Sequence, residues 1–179
     1  MAETAILGGG CFWCLEAVYR QMRGITSVMP GYAGGAVLHP TYKQVCSGLT
    51  GHAEVVQLEW DPAVLDYRQI LQCFFVLHDP TTLNRQGHDV GSQYRSVIFY
   101  TSVQQCEIAK EVILGVTDSH LWGAPLVTQL CALDTFWPAE EEHHNYYAKH
   151  PHAGYCQAVI APKLAKARKA LGTLLHPAP

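Results

Sequence analysis

The stretch Thr4-Ala5-Ile6-Leu7-Gly8-Gly9-Gly10-Cys11-Phe12-Trp13-Cys14 reads as a strand, a sharp turn and the start of a helix. Thr4 to Leu7 is the short strand. The three glycines let the backbone turn and leave room for a ligand to approach closely. Phe12, Leu15, Val18, Tyr19 and Met22 then recur at helical spacing, and Gly24 is the C-terminal stop. Cys11 therefore falls at a helix N-terminus, where unpaired N–H groups and the positive end of the dipole favour a thiolate. An ordinary cysteine has a pKa of ~8.5, and such a site lowers it into the range ~3.5–7.5. The expectation is a nucleophilic Cys11.

Outward from this stretch, strands and helices intermix. Val55 to Trp60 alternates as a strand, and Asp61-Pro62 opens a helical stretch with Tyr67, Ile70, Leu71, Phe74 and Phe75 on its apolar face. Gln93 to Tyr100 reads as a strand, followed by a capping box at Ser102 and Gln105 for a helix through Leu114. Leu126 to Leu133 is a further strand. Pro138 with Glu140, Glu141 and Glu142 has the acidic first turn of a helix, and Pro162 opens a last helix with Leu164, Ala167, Leu171 and Leu175 on one face. This order predicts an α+β two-layer sandwich, one mixed sheet covered by helices, in a single catalytic domain over 1–179.

The chain has 179 residues, of which 49% are apolar and only 15% charged, enough for a real core and unlike a disordered segment. Net charge is −3 and no basic run would neutralise phosphates, so nucleic acid is excluded as the expected partner. The N-terminal residues Met1 to Leu7 lack a basic region before an apolar one, and no window spans a membrane, so a cytoplasmic protein is expected. The seven cysteines, at 11, 14, 46, 73, 106, 131 and 156, are odd in number and scattered, which argues against a structural disulfide framework. Cys73 lies on an apolar helical face as core; Cys46, Cys106 and Cys131 carry no assigned role.

Cys14 completes a C-x-x-C with Cys11. At i and i+3 the two Cβ atoms lie roughly 5–6 Å apart, somewhat wide for a disulfide but closable by a small adjustment. A redox pair and a packing residue both stand as readings of Cys14. A phosphate-binding loop would need Lys-Ser/Thr where Cys-Phe follows the glycines, and a dinucleotide fingerprint would need glycine in place of Trp13. Zinc would need a second ligand pair, and the adjacent His143 and His144 point to different faces. No metal is expected. Phe12 and Trp13 serve either as core or as an apolar cage for a small alkyl group beside a sulfur atom.

Gly10-Cys11-Phe12-Trp13 resembles the active-site signature of the A-type peptide-methionine sulfoxide reductases. The likeness continues through Pro30 to Gly35, Pro40-Thr41-Tyr42, Gly51-His52-Ala53-Glu54, His78 to Thr82, Arg85 to Ser96, Glu140 to Tyr147 and Gly154-Tyr155-Cys156. Several separated motifs in order are far more specific than the first alone. The resemblance implies a ferredoxin-like core and reduction of the S epimer of methionine sulfoxide, free or in proteins. It also implies thioredoxin as reductant and no bound cofactor, in a chain taken as a monomer. By the same resemblance Cys11 is the nucleophile, Phe12 and Trp13 receive the substrate methyl, and Glu54 is the proton donor. Tyr42, Asp89 and Tyr94 surround the sulfoxide oxygen, and Cys156 is the recycling cysteine.

A sulfoxide oxygen leaves poorly unless protonated. Glu54 lies beside Ala53, Val55 and Val56, and an apolar setting raises a carboxyl from ~4.3 toward ~6–7. Taken alone, Glu54 reads as a solvated strand-edge carboxylate, Tyr42 and Tyr94 as half-buried core, and Asp89, between Gly87 and Gly91, as a turn residue. Many family members carry glycine at position 14. Cys156 is favoured as the resolving thiol, on a mobile segment near the chain end, with Cys14 as its partner or a second relay. The competing functions are a general C-x-x-C thiol–disulfide oxidoreductase and a non-catalytic module that binds methyl or thioether groups.

Overall fold

The computed structural model describes residues 3–178; Met1, Ala2 and Pro179, at the ends of the expected 1–179 unit, lie outside the described residues. The sheet begins with β1 (Glu3–Gly8), followed by α1 (Phe12–Tyr19), β2 (Ile25–Ala33), α2 (Tyr42–Cys46), β3 (Ala53–Trp60) and α3 (Tyr67–Leu77). A two-residue hairpin, β4 (Arg85–Gln86) and β5 (Asp89–Val90), precedes β6 (Val97–Tyr100), α4 (Val103–Asp118), β7 (Gln129–Ala132), β8 (Phe136–Pro138), α5 (Tyr146–Lys149) and α6 (Ala161–Leu171). The main sheet has six strands in the order β7-β6-β1-β3-β2-β8. Among the described residues only β6 and β7 pair in parallel. The sheet is thus mixed, and its inner four strands, β6-β1-β3-β2, arise in the chain order β-α-β-β-α-β of the ferredoxin-like core.

Strand alternation sorts the two faces. Ala5, Leu7, Val56, Leu58 and Ile98 join the main core with α1 and α3, while Ile6, Val55, Val97 and Phe99 form a smaller cluster behind the sheet. Glu54 has the parity of Val56 and Leu58, so it faces the helices from an inner strand. It is not on a strand edge, because β3 pairs with both β1 and β2.

Several boundaries differ from the sequence reading, each for a local reason. α1 ends at Tyr19, before Met22, which instead bridges to Leu175. Asp61-Pro62 forms a turn; the helix starts six residues later, where Asp66 and Gln69 make a reciprocal capping box. Ser92–Tyr94 is a 3-10 turn, so the strand expected from Gln93 begins only at Val97. Ser102 accepts from the Gln105 amide as expected, but the Gln105 side chain accepts from Thr101, and α4 continues to Asp118. Pro138 ends β8, and Glu141–His143 is a 3-10 turn rather than the start of an α-helix.

The glycine turn after β1 is tightly enclosed. Gly10 has φ 97, and a Cβ there would lie 2.7 Å from Gln86 Cγ. A Cβ on Gly9 would meet the His78 and Phe74 rings at 3.0 Å. His78 is itself fixed, with Nδ1 2.7 Å from the Phe74 carbonyl and Nε2 2.7 Å from Ser96 Oγ. Gly10→Ala is expected to cost about 1–3 kcal/mol of stability through backbone strain and to lower turnover by displacing Cys11. Urea denaturation of the variant beside the parent measures it.

Candidate active site

Cys11 is the N-cap residue of α1, with extended backbone at φ −62, ψ 128. The first amide of the helix, Phe12 N–H, donates to Glu54 Oε1 at 3.1 Å. The other carboxyl oxygen, Oε2, is buried with no hydrogen-bond partner among the described residues. Burial pushes the Glu54 pKa up to about 8, against the opposing hydrogen bond from Phe12. At neutral pH this carboxyl therefore carries its proton, further than the sequence reading anticipated.

Cys11 does not have the depressed pKa expected of a helix N-terminus. Burial pushes its thiol well above the ordinary value, and the hydrogen bond with Cys14 and the charge of Glu54 act in the same direction. The Trp13 amide favours the thiolate but is outweighed. The physical reason is burial first, since Cys11 is only 7% exposed, and the leading N–H of the helix is given to Glu54 rather than to the thiol. The neighbouring Cys11 thiol, helped by the charge of Lys163 and opposed by burial, lowers the Cys14 pKa.

The polar wall gathers around these groups. Burial, followed by the charge of Glu54, raises the pKa of both Tyr42 and Tyr94, so both keep their protons and remain donors. The charge of Cys11 adds a smaller push in the same direction to both. Asp89, on β5, accepts from the Tyr155 hydroxyl at 2.7 Å, and that hydroxyl lies 3.7 Å from Cys14 Sγ. Tyr155 thus links Asp89 to the cysteine pair.

The apolar wall is aromatic. Phe12 is fully buried, its ring 5.8 Å from Tyr32 and 6.2 Å from Tyr42. Trp13 is half-buried and lies flat on Tyr146 at 3.8 Å, with Tyr155 edge-on at 5.8 Å. Its indole N–H donates to His143 Nδ1 at 3.2 Å. Tyr42 is anchored through its amide to Glu140 Oε2 at 3.0 Å, and the Tyr32 hydroxyl donates to the other oxygen at 2.9 Å.

Glu140, Glu142 and His143 bring ligand atoms within 4.8 Å of one another. The bond from Trp13 makes Nδ1 the acceptor, so the neutral imidazole carries its proton on Nε2. That nitrogen then has no lone pair for a cation, and burial lowers the pKa of His143, keeping it neutral. The donor set does not fit a metal centre while the Trp13 bond stands.

The structure gathers Cys11, Phe12, Trp13, Cys14, Tyr42, Glu54, Asp89 and Tyr94 into one site. Cys156 is fully buried in a π-helical turn, Cys156–Ile160, that leads into α6; burial, followed by the charge of Cys14, raises its pKa. It is built into a helix rather than a loose segment. Sequence reasoning assigned no role to Tyr155, Tyr146, His143 or Glu140, although all four lie in the blocks Glu140–Tyr147 and Gly154–Cys156.

An N-cap thiol facing a neutral carboxylic acid and a second thiol defines a thiol-dependent oxidoreductase. Residues 3–174 match the family model described as peptide methionine sulfoxide reductase, and the chain belongs to that family. A curated relative from Polynucleobacter asymbioticus, peptide methionine sulfoxide reductase MsrA, is 55% identical over 175 residues, covering 98% of this chain and 92% of the relative. The structure resembles Mxr1 from Saccharomyces cerevisiae in reduced form, with TM-score 0.81 and 34% identity over 87% of this chain and 89% of that one. It also resembles, in fold, Mxr1 in complex with Trx2, with TM-score 0.58 and 24% identity over 81% of this chain and 84% of that one.

The thiols differ in access. Cys46 is exposed at the end of α2, whereas Cys11, Cys14, Cys73 and Cys156 are buried. Brief alkylation with iodoacetamide at pH 7, mapped by peptide mass spectrometry, is expected to label Cys46 before Cys11. Labelling of Cys11 first would contradict the burial effect.

Proposed function

We propose that this methionine sulfoxide reductase acts on the S epimer, free or in proteins, with Cys11 as nucleophile and Glu54 as acid. The observation that carries the reading is the neutral Glu54 carboxyl bonded to the amide next to Cys11. Cys11 sulfur attacks the sulfoxide sulfur, and Glu54 passes its proton to the oxygen. The S–O bond of the substrate breaks, methionine leaves, and the oxygen stays on Cys11 as sulfenic acid. The substrate sulfur gains two electrons and the Cys11 sulfur loses them. Tyr42 and Tyr94 donate toward the oxygen as charge develops on it, and Phe12 and Trp13 receive the methyl group.

Position orders the later steps. Cys14 lies one helical turn from Cys11 on α1, so its thiol condenses with the sulfenic acid to a disulfide, releasing water. Cys156, in the same buried cluster as Cys11 and Cys14, takes over the disulfide by exchange. A dithiol of the thioredoxin class then reduces it; the complex of Mxr1 with Trx2 supports that partner by analogy. No helix among the described residues is long and apolar enough to cross a membrane. The cytoplasm is the proposed location, with the chain working as a monomer and a single catalytic unit. A general thiol–disulfide role leaves the protonated Glu54 without a task.

The acid must hold its proton to react, so kcat/KM is expected to fall as pH rises through about 8, the Glu54 pKa. Glu54→Gln should lower the rate by about 10²–10⁴ and remove that descending limb in a pH profile with methionine S-sulfoxide. The absence of S-epimer turnover by the intact protein would sink the whole reading.

The cysteine order has its own test. In single turnover without reductant, Cys14→Ser should release one methionine and leave sulfenic acid on Cys11, detectable by dimedone labelling. Cys156→Ser should form the Cys11–Cys14 disulfide, recycle with dithiothreitol and fail with thioredoxin. Recycling of Cys156→Ser by thioredoxin at the parent rate would remove Cys156 from the relay.

A further inference from the structure

Glu16 is a buried carboxylate that the reaction just described does not use. Its side chain is 2% exposed, one turn beyond Trp13 on α1. Oε1 accepts the Tyr146 N–H at 3.3 Å, and the Asn145 amide beside it also favours the charged carboxylate. Oε2 lies 3.4 Å from Arg20 Nη2, and the same nitrogen donates to the Val28 carbonyl at 3.2 Å.

These two amides open α5, a helix of four residues. A single helical turn does not hold itself together in water. Its first residue follows Asn145 at φ 55, ψ 40, a left-handed conformation that a side chain adopts at a cost. Its place is therefore set by what it rests on. α1 supplies two supports one turn apart, which share a helix face: the Trp13 ring under the Tyr146 ring, at 3.8 Å and 8°, and the Glu16 carboxyl under the Tyr146 backbone.

We propose that Glu16 is a positioning residue for the substrate pocket. By accepting the Tyr146 amide it holds the Tyr146 ring flat on Trp13 and so fixes the indole that meets the substrate methyl. This rests on the reading of Trp13 as part of that pocket. Glu16 touches neither substrate nor Cys11, so it governs substrate affinity rather than chemistry.

The test uses the full chain with free methionine S-sulfoxide and dithiothreitol, comparing KM with the single-turnover rate at saturation. Glu16→Ala is expected to raise KM about fivefold, the scale of one lost net hydrogen bond, with the saturated single-turnover rate within about twofold of parent. Tyr146→Ala should raise KM similarly, and the double variant no further than the larger single effect. Glu16→Gln, which keeps an acceptor oxygen, should bring KM back to within about twofold. If the alanine variant does not fold, Glu16→Asp draws the carboxylate back by one methylene and is expected to raise KM about threefold. Parent KM in Glu16→Ala or in its Asp substitute, or additive effects in the double variant, overturns the inference while leaving the pocket intact. Parent KM in Trp13→Ala overturns the pocket reading itself, and this inference with it.

Discussion

The hydrogen bond from the Phe12 amide to Glu54 is the constraint on which the site depends. It joins an inner strand of the sheet to the first turn of the helix that carries Cys11 and Cys14. An unpaired buried amide costs about 1–3 kcal/mol, and an unpaired buried carboxylate costs far more. The structure resolves both with one contact: the amide gains an acceptor, and the carboxyl, with its second oxygen unpartnered among the described residues, keeps a proton instead of a charge. The same contact takes the leading N–H of the helix away from Cys11. Lowering the thiol and holding the acid compete for one donor, and the acid has it.

α1 acts as the hub because four consecutive residues face four different tasks. Cys11 lies at its N-cap, Phe12 turns into the core against Tyr32, Trp13 turns outward to His143 and Tyr146, and Cys14 comes back under Cys11. About 100° of rotation per residue separates these directions, so a single turn of helix serves the whole reaction. The surrounding elements are braced against that turn. His78 blocks the space behind Gly9, Gln86 the space beside Gly10, and Glu140 holds Tyr42 by its amide.

The strand–glycine–helix unit was legible because its signals are local: an apolar run, a glycine turn and helical spacing. β3 and the last helix were legible for the same reason. β2 was not, since Pro30 and Gly31 interrupt its pattern, and its pairing is supplied by β3 and β8 on either side. α2 is a single short helix under a Thr41–Gln44 capping box, too brief for periodicity to reveal. At the site, Glu54 owes its character to alternation on an inner strand, and local composition alone favoured a solvated carboxylate. Tyr155 and Tyr146 act through Asp89 and Trp13, partners far away in the chain that no local pattern encodes.

The protonation of the resting site agrees with the reaction's proton count. Reduction of a sulfoxide by a thiol turns R–SH and S=O into R–SOH and a thioether, with no net proton taken from water. A buried site that starts with a neutral thiol and a neutral carboxylic acid holds what the step needs. In the proposed step Glu54 gives its proton to the oxygen as Cys11 attacks, and the proton from Cys11 returns to the carboxyl. Neither partner has to sustain an isolated charge in a dry pocket, where desolvation is costly. The raised Cys11 pKa is therefore compatible with a nucleophile, because the thiolate is needed only while the sulfoxide oxygen is taking its proton. A permanently ionised Cys11 beside Glu54 would instead raise the carboxyl further and pay the desolvation cost in every resting molecule.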